Sequence, residues 1–372
     1  MIYIHIPYCR QKCTYCAFYS SPTRGDRTPY LEALCNELAL RSREQDHPVR
    51  TVYFGGGTPS MLTIDQLGTI IDSLRSHFDL SRLEEATLEA NPEDLSEPYL
   101  RDLSRLRFFN RLSIGIQSFS DTDLSRLNRR HSGRQAIEAV EAAHRIGFHN
   151  ISIDLIYGLP GQTTADWQRN LDILSAVEPH IAHLSCYALT LEEGTMLYRQ
   201  IREGRIPPID EDQQLAHYHQ LQSWIATHGW QQYEISSYCR DGRRSLHNSR
   251  YWDATPYLGI GAGAHSFDGT RRRWNHPDIR AYIQALRDGT TYYDQEHLTQ
   301  TDKVNEYLMT ALRTSTGISW DHIRSCHPWA EADLRSKSAR YLDTYLIDHG
   351  RHLTPTPEGL LHADGIAADL FF

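Results

Sequence analysis

Short β-rich runs alternate with helical patterns of about a dozen residues through residues 1–229, and this alternation constrains the fold more than any other feature. The predicted strands are Ile2 to Ile6, Val52 to Gly55, Ala86 to Ala90, Arg111 to Ile116, Ile151 to Ile156 and His183 to Leu189. The predicted helices are Tyr30 to Arg43, Ile64 to His77, Glu97 to Leu106, Arg134 to Ile146, Thr164 to Val177 and Glu211 to His228. Repeated βα units form a parallel sheet, and six strands are too few to close an eight-stranded barrel. The sequence therefore predicts an α/β fold with an open, partial (β/α)6 TIM-like barrel.

The remainder of the chain follows other patterns, so we predict three domains, at residues 1–229, 230–298 and 299–372. The second is β-rich and aromatic and is expected to pack on the barrel as an extension. The third is predicted as helix, turn and helix, followed by a hairpin or wing from Leu353 to Leu361. This order predicts a small winged-helix-like domain. We interpret it as a structural cap, because a net charge of −9 makes nucleic acid a poor first hypothesis for a partner.

The composition also bears on location. No apolar run approaches the roughly 20 residues that span a bilayer, and neither a basic nor an apolar leader region precedes the first cysteine. We therefore expect a cytoplasmic protein without a transmembrane segment. Three of the seven cysteines lie close together near the N-terminus, which in that compartment indicates metal binding more than disulfides.

These three cysteines, Cys9, Cys13 and Cys16, have C-x3-C-x2-C spacing in a predicted loop, residues 8–28, after the first strand. Three close thiolates suit an iron-sulfur cubane whose fourth iron has no protein ligand. Zinc is the rival and requires a fourth ligand, for which His5 is a candidate. A site without metal is the third alternative.

The spacing resembles that of the radical S-adenosylmethionine (SAM) superfamily. The flanking residues, Tyr3 to Cys9 and Tyr15 to Phe18, are similar to the branch that contains oxygen-independent coproporphyrinogen III oxidase (HemN) and the heme chaperones (HemW). The resemblance implies that Cys9, Cys13 and Cys16 hold a [4Fe-4S] cluster, and that SAM binds the unique iron.

Polar groups and glycines at the ends of the next strands are candidates for the SAM site. A glycine turn at residues 55–57 allows a close approach of the backbone to a ligand. Polar side chains in buried parallel strands need a partner, and a shared ligand is the simplest one. With the resemblance, the predicted SAM-binding residues are Tyr3, Tyr15, Gly56, Gly57, Thr58, Glu89, Gln117, Arg129, Asp154 and Ala188. Arg130 is the alternative to Arg129.

Two departures separate the sequence from the oxidase pattern. Phe18 occupies the position of a further cysteine two residues after Cys16, and the N-terminal arm ahead of the first strand is missing. The segment from His247 to Trp252 also reads as the H-N-x-x-Y-W motif of the heme chaperones. It supplies candidate heme contacts: His247 as an axial ligand, with Tyr251 and Trp252 as aromatic surface.

The sequence is therefore interpreted as a heme chaperone that transfers heme to acceptor proteins, with the respiratory chain as one source of acceptors and membrane contact only through such partners. Radical decarboxylation of coproporphyrinogen III is the alternative, and a zinc-stabilised structural protein the remote one. No catalytic residue is predicted, and whether the chain is an enzyme stays open.

Overall fold

A computed structural model describes residues 1–22 and 25–372. The predicted cluster loop, 8–28, includes residues 23 and 24, which lie outside the described residues. The predicted parallel strands are all found, with ends within one residue of the prediction: β1 (Ile2–Ile6), β2 (Thr51–Gly56), β3 (Glu85–Ala90), β4 (Arg111–Gln117), β5 (Ile151–Tyr157) and β6 (His183–Ala188). They lie side by side in chain order, with Ile2 opposite Val52 at one end of the series and Ser152 opposite His183 at the other.

Helices connect consecutive strands, as right-handed βα units require. Their bounds are α1 (Thr28–Arg41), α2 (Ile64–His77), α3 (Glu97–Arg105), α4 (Asp121–Arg126), α5 (Gly133–Ile146), α6 (Thr164–Val177), α7 (Met196–Arg202) and α8 (Glu211–His228). Capping boxes at Thr63, Ser132 and Thr163 fix the starts of α2, α5 and α6. The predicted α/β partial barrel is thereby confirmed.

The main sheet continues beyond residue 229. The next elements are β7 (Gln231–Gln232), β8 (Ser237–Cys239), α9 (Leu246–Trp252), β9 (Leu258–Ile260), β10 (His265–Phe267), β11 (Arg271–Asn275), α10 (Ile279–Asp288) and β12 (Tyr293–His297). β8 pairs antiparallel with β6, and β9 pairs parallel with β1, so within the described residues the sheet has nine strands with β7 and β9 at its edges. β10, β11 and β12 form a separate antiparallel sheet. The domain boundary proposed at residue 229 therefore interrupts one continuous sheet.

The C-terminal region has its own apolar core, built around Leu308, Trp320 and Leu353. Its elements are α11 (Gln300–Leu312), β13 (Ile318–Ser319), α12 (Trp320–Cys326), α13 (Glu331–Ser338), β14 (Leu346–Asp348), β15 (His352–Pro355), α14 (Pro357–Leu361) and α15 (Ala363–Leu370). The predicted hairpin from Leu353 to Leu361 is misplaced. β14 and β15 form the hairpin, whereas Thr356 caps α14 by accepting from the N–H of Gly359.

Among the described helices, none is long and apolar enough to cross a membrane.

Candidate functional site

A cavity of about 560 Å³ opens where the carboxyl ends of the parallel strands meet. This face of a parallel barrel brings together side chains that are distant in sequence. Twelve of the thirteen residues predicted to hold a cluster or SAM line the cavity: Cys9, Cys13, Tyr15, Cys16, Gly56, Gly57, Thr58, Glu89, Gln117, Arg129, Asp154 and Ala188. Tyr3 is the thirteenth and does not line it.

The cysteine loop is held by bonds to neighbouring segments. The N–H of Cys9 donates to the carbonyl of Ser21 at 3.1 Å, and the N–H of Thr14 donates to the carbonyl of Leu127 at 3.2 Å. The Thr14 hydroxyl donates to the carbonyl of Arg126 at 3.1 Å. Cys9, Cys13 and Cys16 are all free thiols. Three free thiols on the wall of one cavity fit a cubane, in which each thiolate binds its own iron.

His5, the candidate fourth ligand for zinc, is engaged elsewhere. Its Nδ1 lies 3.0 Å from the Tyr3 hydroxyl, and its Nε2 lies 3.1 Å from the carbonyl oxygen of Tyr19. Burial lowers the pKa of His5 to about 4. Within residues 1–22 and 25–372, no group of three or more His, Cys, Asp and Glu side chains could hold one metal ion between them. Both ring nitrogens of the candidate fourth zinc ligand are therefore already engaged.

The glycines at the end of β2 are required by close packing against β1. Gly56 has a φ of +105°, and a Cβ at this position would lie 2.5 Å from Cε1 of His5. A Cβ on Gly57 would lie 2.6 Å from the carbonyl oxygen of Tyr8. A side chain at either position would clash with these atoms, so the turn requires glycine at both. Thr58 follows, and its hydroxyl donates to Sγ of Cys9 at 3.6 Å.

Two partly buried carboxyl groups, Glu89 on β3 and Asp154 on β5, line the cavity. Glu89 accepts from the Tyr53 hydroxyl at 2.7 Å and from the N–H of Gly56 at 3.1 Å. Burial nevertheless raises the pKa of Glu89 to about 7 and the pKa of Asp154 to about 6. A ligand with an ammonium group or hydroxyl donors stabilises the ionised form of both carboxyls. The ammonium and ribose hydroxyls of SAM have this chemistry.

Gln117 ends β4 in a strained conformation. Its φ is +70°, and the register of β4 against β5 shifts between Gly115 and Gln117. A Cβ on Gly115 would lie 2.8 Å from Nε2 of Gln117, so the amide folds back over this glycine. Strained residues of this kind are concentrated at functional sites. The shift directs the Gln117 side chain toward the cavity.

Of the two neighbouring arginines, Arg129 enters the cavity and Arg130 is exposed at its edge. Arg129 donates from Nη1 to Sγ of Cys13 at 3.4 Å, and from Nη2 to Oδ1 of Asn91 at 2.6 Å. Asn91 in turn donates to the hydroxyl of Thr58 at 3.3 Å. Sequence reasoning did not select Asn91, although a polar residue at a strand end just before Pro92 was a usable signal. Asn91 therefore links two candidate site residues, Thr58 and Arg129.

The remaining SAM candidates are Tyr15, Ala188 and Tyr3. Tyr15 packs on a small apolar cluster that includes Leu127 and Leu197. Ala188 is the last residue of β6 and lies opposite Tyr157. Tyr3 lies beside the glycine turn, 2.9 Å from where a Cβ on Gly55 would be. A direct contact of Tyr3 with SAM thus remains a prediction without geometric support.

The heme candidates do not reach the cavity. His247 is fully buried near the amino ends of β2 and β3, where Thr51 bonds its Nδ1 at 2.9 Å and the Tyr251 hydroxyl bonds its Nε2 at 3.1 Å. Glu85 accepts from the N–H of His247 at 2.9 Å. The Trp252 ring lies beneath the Arg313 guanidinium at 5.7 Å. Axial ligation by His247 therefore requires one ring nitrogen to leave its partner, and in this structure the motif closes the end of the barrel opposite the cavity.

Comparison with known proteins places this geometry in context. Residues 3–174 match the radical SAM superfamily. The heme chaperone HemW of Mycobacterium tuberculosis (strain H37Rv) is 34% identical over 377 residues, which cover 99% of this chain and 94% of that protein. The heme chaperone HemW of Escherichia coli (strain K12) is 35% identical over 84% of this chain and 82% of that protein.

Among solved structures, the coproporphyrinogen III oxidase HemN of Escherichia coli aligns with a TM-score of 0.85. The alignment covers all of this chain and 89% of that one, at 23% sequence identity. At this level of identity the likeness shows a shared fold and carries no statement about activity.

Proposed function

The chain belongs to the heme chaperone HemW family of the radical SAM superfamily, and from this premise we propose that it binds heme and transfers it to acceptor proteins. The observation that carries the proposal is the identity of 34% across 94% of a relative named as a heme chaperone. The respiratory chain as a source of acceptors, and a cytoplasmic location, belong to the same proposal as predictions.

Membership of the superfamily implies a [4Fe-4S] cluster and SAM, which supply one-electron chemistry when bound. We propose that Cys9, Cys13 and Cys16 hold the cluster. The support is three free thiols on one wall of the cavity. SAM would lie along the same cavity, its ammonium and hydroxyl groups satisfying Glu89 and Asp154, and its carboxylate meeting the planar fork of Arg129.

Coproporphyrinogen oxidation is the alternative, and one observation speaks against it. Phe18 stands where the oxidase pattern has a further cysteine, and its side chain is 72% exposed at the mouth of the cavity. Unlike a cysteine thiol, a phenyl ring can neither bind a metal ion nor donate a proton in that reaction. The large exposed apolar surface suits contact with a flat apolar molecule.

The proposal is tested on anaerobically reconstituted protein with two parallel assays. Titration with heme should give a saturable Soret band at about one heme per chain. Incubation with coproporphyrinogen III, SAM and a reductant should give no decarboxylated product. Product formation with matching consumption of SAM, or the absence of saturable heme binding, would overturn the proposal.

A further inference from the structure

Phe18 is the most exposed large apolar side chain of the described residues, at 72%. It lies two residues after Cys16, and it lines the cavity together with Tyr187, which is 43% exposed. An aromatic side chain this exposed keeps a large apolar surface in contact with water unless a binding partner covers it. The cavity wall thus includes exposed aromatic side chains that are not among the residues assigned to the cluster or SAM.

A second feature of the mouth is a group of cations, which we name the basic rim: Arg10, Lys12 and Arg130. All three are exposed and line the cavity. The loops that carry them are joined, because Gln11 donates from Nε2 to the carbonyl of Asn128 at 3.2 Å and Asn128 donates to the carbonyl of Lys12 at 2.8 Å. The loop that carries Arg10 and Lys12 is therefore tied to the segment that carries Arg130.

Two of these cations are available to an anion. Arg10 pairs with Asp94 at 3.0 Å. The side chains of Lys12 and Arg130 make no hydrogen bond and no ion pair with any residue in the described ranges. Glu93 and Glu192 also line the cavity. Glu93 lies 3.3 Å from Nδ1 of His131, and Glu192 lies in the loop after β6. In a chain with a net charge of −9, two unpaired cations on the wall of the cavity that also carries Phe18 are a local departure from the overall charge.

We propose that heme binds at this mouth, with the macrocycle against Phe18 and its two propionates on Lys12 and Arg130. Heme is a flat apolar ring with two carboxylates on one edge, and the cavity wall carries both an exposed phenyl ring and unpaired cations. This assignment rests on the proposed function. It replaces the segment from His247 to Trp252 as the heme surface, because both ring nitrogens of His247 are bonded in the buried end of the barrel.

The test compares variants of the reconstituted protein by heme titration. Lys12→Glu and Arg130→Glu reverse the rim charge, and Phe18→Ser removes the ring. Arg82→Glu makes the same charge change at an exposed site just before β3, at the opposite end of the strands. Iron content is measured for every variant. We expect about a tenfold loss of heme affinity for each mouth variant and a larger loss for the double reversal, against no change for Arg82→Glu.

Heme dimethyl ester is the second probe, since it keeps the macrocycle and lacks the propionate charges. We expect it to bind more weakly than heme to the unaltered protein, and with the same affinity to the unaltered protein and the double reversal. If the unaltered protein binds heme while all mouth variants bind it equally well, the site is wrong and the chaperone proposal stands. If the unaltered protein binds no heme, the proposed function itself fails. Equal affinity of the unaltered protein for heme and the ester would also overturn the propionate contacts.

Discussion

Replacing Glu89 by glutamine should stabilise the metal-free chain at neutral and alkaline pH, although it removes a group from the site. The structure removes this carboxyl from much of its contact with water, and this desolvation raises its pKa from the ordinary 4.5 to about 7. The folded state therefore holds the proton more tightly than the unfolded state. Below about pH 4.5 both states are protonated and there is no effect, and the cost to folding grows as the pH rises to about 7 and is constant above it.

At about 1.4 kcal/mol per pKa unit, this rise in the pKa of Glu89 lowers the free energy of unfolding by at most about 3 kcal/mol at high pH. Part of the carboxyl faces the cavity and its water, so we take about 2 kcal/mol as the cost at pH 8. The glutamine oxygen can still accept a hydrogen bond from the Tyr53 hydroxyl. The glutamine NH2 group cannot accept from the N–H of Gly56, and the loss of this hydrogen bond costs about 1 kcal/mol at every pH. The variant should thus be less stable than the parent at pH 5 and more stable at pH 8.

Urea denaturation of the metal-free proteins at pH 5 and pH 8 measures this difference. Glu84→Gln is the control, because Glu84 precedes the same strand at its exposed end and pairs there with Arg50. Its effect should be small and independent of pH. In reconstituted protein, Glu89→Gln should also weaken SAM binding about tenfold. A stability difference between Glu89→Gln and the parent that is the same at both pH values would refute the reasoning about burial.

Three further predictions concern the site and the motif. Cys13→Ser should abolish the iron-sulfur absorbance and the bound iron of the reconstituted protein, whereas stoichiometric zinc in the parent would contradict the cluster. Arg129→Lys should weaken SAM binding by about tenfold or more in calorimetry because the planar fork is lost, while Arg130→Lys should not; equal effects would remove the assignment of Arg129. His247→Ala should lower the free energy of unfolding by about 2 to 4 kcal/mol and leave the Soret band of folded protein unchanged, whereas a shifted band would restore it as a ligand.

The barrel was predictable because its local signals agree with one another. Periodicity and capping boxes identify α2 and α6, and both ends of each match the prediction. The hairpin of the C-terminal region was misplaced because the residues from Thr354 to Pro357 fit either a turn or a helix start. Pro357 occupies the first turn of α14, a position that proline favours. The strands β7, β8 and β9 have two or three residues each, too few to show a period.

The candidate site was predictable where a residue type reveals its chemistry within one short segment, as for Cys9, Cys13 and Cys16. The contacts between segments were not. Arg129 reaches Asn91 across 38 positions of the chain, and only the folded sheet brings them together. The positive φ of Gln117 follows from a register shift that no local pattern reports. The H-N-x-x-Y-W segment identifies the family, but burial decides what His247 contacts.

Transfer kinetics test most directly whether the protein transfers heme to another protein. Heme-loaded protein is mixed with an apo b-type cytochrome of the same cell, and with apomyoglobin as a non-partner acceptor, and the change in the Soret band is followed over time. We expect a transfer rate to the cytochrome that rises with cytochrome concentration and exceeds the rate to apomyoglobin, because transfer to apomyoglobin is limited by spontaneous release. Identical rates for the two acceptors, independent of acceptor concentration, would contradict this expectation.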